Sequence, residues 1–140
     1  MSITSLRISG SGLTAERARL DAISRNIANV ETTRRADGQP GPYLRQSVPF
    51  EAITSENGQL GGVKVLETIE FSEKDKPLKE VFMPGHVHAD RKTGILKLPN
   101  VDIIEEMVDM IAATRAYEAN IGAANATKSM IAHAIELGRL

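Results

Sequence analysis

The 140 residues allow about one compact core. At 41% hydrophobic with a further 11 glycines, the composition is neither membrane-like nor plainly disordered. Seventeen Lys and Arg against 18 Asp and Glu leave a formal net charge of −1, without the basic excess that neutralising nucleic-acid phosphates requires. The absence of Cys excludes disulfides, zinc-thiolate sites and cysteine nucleophiles, and the absence of Trp, with 2 Tyr and 3 Phe, leaves core packing mainly to Ala, Ile, Val, Leu and Met.

The opening residues, Met1-Ser2-Ile3-Thr4-Ser5-Leu6-Arg7, lack the basic and apolar regions of a secretory signal, so any export is expected to proceed without cleavage. From Ser2 to about Val30, Leu6, Leu13, Leu20 and Ile27 recur at seven-residue steps, with Ile23 and Val30 three places after members of that series, which predicts an amphipathic helix. Gly10 and Gly12 interrupt it at about 1 kcal/mol each, so its first turns are expected to be weak in isolation.

Asp37-Gly38-Gln39-Pro40-Gly41-Pro42 is a concentrated turn signal that ends the helical period. Val63, Val65, Ile69 and Phe71 lie on one side of a period-two pattern, which predicts one half-buried strand although Leu66 and Glu67 break the alternation. Residues 43–50 and 78–82 are weaker strand candidates, and Asp90 to Gly94 reads as a turn into a strand at 95–98. The middle is therefore expected to be a small β-rich insert with much loop.

The helical period returns at Asn100. Ile103, Met107, Met110, Thr114, Tyr117, Ile121, Ala124, Lys128, Ile131 and Ile135 step by four and three, an a/d stripe with two polar exceptions. Asn100 or Asp102 can cap the start, with Glu105 placed as in a capping box, and Gly138 and Arg139 suit the other end. A helix over 101–137 spans about 55 Å, whereas the N-terminal helix spans about 40 Å and covers only part of it. Neighbouring subunits are the expected partner for the rest. The fold class predicted is mainly α: a discontinuous domain of residues 1–35 plus 98–140 and an insert over 36–97.

Candidate chemistry is sparse. His86-Val87-His88-Ala89-Asp90 would put three potential metal ligands on one face of a strand, but no other cluster supplies a further ligand or base. Ser9-Gly10-Ser11-Gly12 lacks the preceding strand of a nucleophile elbow or phosphate loop, and reads instead as a small-residue patch in a close helix contact. Glu105, Glu106 and Asp109 read as dipole-stabilising residues on a solvated face, and Met107, Met110 and Met130 as packed core rather than a binding stripe. Asn26, Asn29, Asn120 and Asn125 are candidates for buried amides that fix helix register, with surface exposure the alternative at each.

Ser11-Gly12-Leu13, Arg17, Leu20, Ile23-Ser24-Arg25-Asn26-Ile27-Ala28-Asn29 and Thr32-Thr33-Arg34 resemble the N-terminal signature of the flagellar axial rod and hook family. Residues 99–111, Arg115-Ala116-Tyr117-Glu118-Ala119-Asn120 and Asn125-Ala126-Thr127-Lys128-Ser129-Met130 are similar to the C-terminal helix of its rod members, and Pro84-Gly85-His86 with Asp90 and Gly94 resembles the stretch before it. Hook and distal-rod members are longer, so the length favours the proximal rod. The resemblance implies a structural subunit with no cofactor and no catalytic step, exported through the flagellar type III apparatus and assembled in the periplasm with further copies of itself and with FlgB, FlgF and FlgG. Its two terminal helices would form one coiled-coil-like domain that transmits motor torque, and its interface would include Leu13, Leu20, Ile27, Met107, Met110, Tyr117, Ile121 and Ile131. A soluble helical adaptor and a metal-dependent enzyme built on His86 and His88 are the competing classes.

Overall fold

The computed structural model describes residues 2–36, 38, 41–54, 58 and 60–139. Among the described residues two helices, α1 (Ser2–Ala28) and α2 (Ile103–Leu137), enclose in sequence six short strands: β1 (Gln46–Ser47), β2 (Phe50–Thr54), β3 (Leu60–Val65), β4 (Ile69–Glu70), β5 (Lys79–Phe82) and β6 (Ile95–Leu98). The strands pair antiparallel as β1 with β4, β2 with β3 and β5 with β6. A terminal helix at each end of a small strand insert is the arrangement expected from the return of the helical period. Asp37, Gln39 and Pro40 of the predicted turn lie outside the described residues.

Contacts divide the chain into two compact units, one of residues 1–20, 48–67 and 110–140, the other of residues 21–47 and 68–109. In the first unit the β2–β3 hairpin runs from Phe50 opposite Val65 to Ile53 opposite Gly62, with a bulge between Ile53 and Thr54. A lone hairpin is marginal in water, and this one is tied to α1. The Val63 amide donates to Ser11 Oγ at 3.1 Å, while that hydroxyl donates to the Ile8 carbonyl at 2.7 Å. Gly62 has φ 126°, and a Cβ there would collide with Ser11 Oγ.

In the second unit residues 83–94 connect β5 to β6, and the last turn of that connection, at 91–93, is held by Asp90, which accepts from the Lys92 amide at 2.9 Å and from Thr93 Oγ1 at 3.1 Å. Gly94 closes the turn with φ 68°, against the Phe82 ring. The sequence reading of one strand through 63–71 is corrected: residues 66–68 leave the ladder, so Val63 and Val65 pair with β2 while Ile69 pairs with β1. Residues 43–50 likewise divide into β1 and the start of β2.

Asp102 caps α2. Its Oδ1 accepts from the Ile104 amide at 2.9 Å and the Glu105 amide at 3.5 Å, and these bonds hold its carboxyl below the usual carboxylate range. Glu105 makes an ion pair with Lys76. Asn100, the other cap candidate, is buried and serves the insert instead: its Oδ1 accepts from the Arg45 amide at 2.8 Å, and its Nδ2 donates to the carbonyls of Phe71 and Lys76 at 3.1 and 3.0 Å.

Candidate assembly surface

Asn26 of α1 and Glu106 of α2 are both 0% exposed, an expensive place for an amide and a carboxyl unless every polar atom is matched. They are matched. Asn26 Nδ2 donates to the Gln46 carbonyl at 2.8 Å and to Glu106 Oε2 at 3.0 Å, while its Oδ1 accepts from the Gln46 amide at 2.9 Å and the Tyr43 hydroxyl at 2.9 Å. Glu106 Oε1 accepts a hydrogen bond from Arg45 Nε at 2.6 Å, and the Arg45 guanidinium also reaches Asp109 at 3.3 Å and lies over the Phe71 ring at 5.4 Å.

The Asn26 amide therefore pairs with Gln46 as a neighbouring strand would, on a residue whose other ladder partner is Glu70. One side chain binds helix to sheet. Burial raises the Tyr43 phenol above its ordinary pKa, with the Glu70 and Glu106 charges adding to the shift and Arg25 opposing it, so the hydroxyl stays a donor to Asn26. Among the register candidates, Asn26 is the buried one; Asn29 and Asn120 are half-buried and Asn125 is exposed. The placing of Glu106 on a solvated face is corrected, because Arg45 and Asn26 compensate its burial. Arg45 carried no helical or strand period that could have marked it.

The covered row of α2 is Glu106, Met110, Ala113, Tyr117, Asn120, Ala124, Thr127 and Ile131, each buried or half-buried. The predicted stripe shares Met110, Tyr117, Ala124 and Ile131 with it, but its other six positions, Ile103, Met107, Thr114, Ile121, Lys128 and Ile135, are exposed. Met107 at 55% and Met130 at 63% overturn the packed-core reading for those two methionines, since no described element of the chain covers them. Thr114 and Lys128, the polar exceptions, both lie in the exposed part and were the available signal.

The covered row uses small residues where close approach demands them. A Cβ at Gly12 of α1 would lie 2.8 Å from Asn120 Oδ1, so this glycine is the close helix contact expected of the Ser9–Gly12 patch, whereas Gly10 has open space around it. Of the α1 interface candidates, Leu13, Leu20 and Ile27 are each half-buried. A further apolar series on α2, Ile104 at 75% exposed with Val108 and Ile111 at i+4 and i+7, lies off the predicted stripe, so the first turns of α2 are apolar on more than one face.

The His86–His88 segment is a turn, not a strand, so its ligands do not share a strand face. His86 Nδ1 accepts from the His88 amide at 3.1 Å, His88 Nδ1 bonds Thr33 Oγ1 at 2.8 Å, and Asp90 is committed to its own turn. Among the described residues no three His, Asp or Glu side chains are grouped to hold a metal ion.

Residues 6–34 match the model for "Flagella basal body rod protein", and residues 92–137 match the model for "Flagellar basal body rod FlgEFG protein C-terminal". The chain is 43% identical to the flagellar basal-body rod protein FlgC of Borreliella burgdorferi, over 96% of this chain and 95% of that one. It is 40% identical to the proteins of that name in Escherichia coli, over 94% of each chain, and in Bacillus subtilis, over 96% and 97%. The chain belongs to the FlgC family of flagellar basal-body rod proteins.

As a FlgC-family member it is a structural rod subunit of the flagellar basal body and not an enzyme. Asn26 and Glu106 fall inside the two matched segments, and Arg45, which joins them, falls between. No helix among the described residues is long and apolar enough to cross a membrane.

Proposed function

We propose that this FlgC-family chain builds the proximal rod, passing torque across the periplasm through terminal helices stacked as a coiled-coil-like domain of residues 1–35 and 98–140, with 36–97 as insert. It reaches the periplasm unfolded through the flagellar type III apparatus, without a cleaved signal, and assembles with further copies of itself and with FlgB, FlgF and FlgG. The observation that carries the reading is the apolar surface left open on α2, where Ile104, Val108, Ile111, Met107 and Ile121 are exposed on faces that no other described residues cover. At roughly 25 cal/mol per Å2, covering such surface is a strong drive to associate.

Leu13, Leu20, Ile27, Met107, Met110, Tyr117, Ile121 and Ile131 are the proposed interface. Its exposed members, Met107 and Ile121, meet neighbours directly; the half-buried ones share their surface between the chain and its neighbours. Imaging basal bodies from a strain lacking this gene tests the reading. Rods should be missing, and intact rods would reject it.

A further inference from the structure

In the unit of residues 1–20, 48–67 and 110–140, a groove of about 320 Å3 opens between α1, the β2–β3 hairpin and Asn120. Ala15 of α1 and Phe50, Ala52 and Val63 of the hairpin make its walls apolar, and Glu16 supplies its one carboxylate. Glu16 Oε2 is buried and, among the described residues, has no hydrogen-bond donor within reach. Arg19 Nη1 makes a long ion pair with that oxygen at 3.8 Å, beyond hydrogen-bond distance, and the Arg19 guanidinium also lies over the Phe50 ring at 5.4 Å.

A buried carboxylate oxygen without a donor is costly, and an apolar wall beside it exposes surface that water solvates poorly. An arginine or lysine side chain satisfies both, since its methylene stem packs on apolar atoms while its charged end donates hydrogen bonds. The groove is at the lower end of the volumes that take small organic ligands, which suits one inserted side chain. Resting on the assembly reading above, the geometry points to a socket in which Glu16 receives an arginine or lysine from a neighbouring rod subunit. Charge complementarity selects that occupant over an apolar one, because an apolar side chain would leave the buried Oε2 without a hydrogen-bond donor.

The test places p-benzoylphenylalanine at Ala52, on the groove wall, and separately at Ile104, on the open face of α2. Both are made in cells that also carry the unaltered chain, so that rods are completed, and crosslinked peptides are mapped by mass spectrometry. Position 52 should crosslink to a neighbour's segment bearing Arg or Lys, and adding Glu16→Gln to the same chain should lower that yield at least about tenfold, as expected for loss of one partner of a buried charge pair. Crosslinks from 104 with none from 52, or crosslinks from 52 to a segment without a basic residue, overturn the socket and leave the assembly reading standing. A yield unchanged by Glu16→Gln also overturns it. Silence at both positions in cells with complete rods rejects the assembly reading as well. Mapping with Glu16 intact decides the matter even if Glu16→Gln fails to fold.

Discussion

Glu106 and Arg45 stand 61 positions apart and meet in a region where a lone charge could not remain. Replacing Glu106 by Ala removes the buried acceptor of Arg45 Nε and one of the two acceptors of Asn26 Nδ2, and breaking one side of a buried pair costs about 3–5 kcal/mol. Asp109, the second carboxylate on Arg45, is 49% exposed and so is screened by water, which puts Asp109→Ala below about 1 kcal/mol. Urea unfolding followed by circular dichroism should show this contrast, and equal midpoints for the two variants would mean that the Asn26–Glu106–Arg45 junction does not hold the unit together. The junction was half legible in the sequence. Asn26 was one of four asparagines read as able to fix helix register, with surface exposure the alternative at each, whereas Glu106 was indistinguishable from the acidic residues that favour any helix N-terminus.

The long element α2 separates two kinds of apolar surface. Ile121 belongs to the exposed part of its stripe, so Ile121→Asp should leave the isolated chain folded and exported while blocking rod growth. Covering an Ile contributes about 1.5–3 kcal/mol, an unpaired carboxylate adds a desolvation cost, and every copy carries the lesion. Glu118→Gln, an exposed polar control, should swim normally. Rods and motility in the Ile121→Asp strain would remove Ile121 from the interface. The helix's existence was plain from its period, yet the row it covers internally was not. Ala113 and Thr127, which are buried, and Asn120, which is half-buried, carry little or no apolar signal and lie in the covered row because close approach favours small residues.

At the scale of the whole molecule, burial is unevenly distributed. Beyond Ile131 every described residue of the C-terminal segment is exposed, while residues 21–47 and 68–109 hold Asn26, Asn100, Val101 and Glu106, all at or near zero exposure. In a dilute sample trypsin should therefore cut after Lys128 well before Arg45, whose backbone and side chain are both bonded. Cleavage at Arg45 first, without any oligomer present, would show that the insert is the less stable part.

The sequence by itself determined two terminal helices, a strand-bearing insert and membership of an assembling family, because periodicity and local motifs are carried by neighbours in the chain. Only the tertiary structure decided which carboxylate is buried, which part of a stripe stays open and where one strand becomes two. Those outcomes depend on partners tens of residues away: Arg45 compensating Glu106, Asn26 pairing with Gln46, and Ser11 holding the hairpin at Val63. Such contacts leave no period in the sequence that a local reading can find.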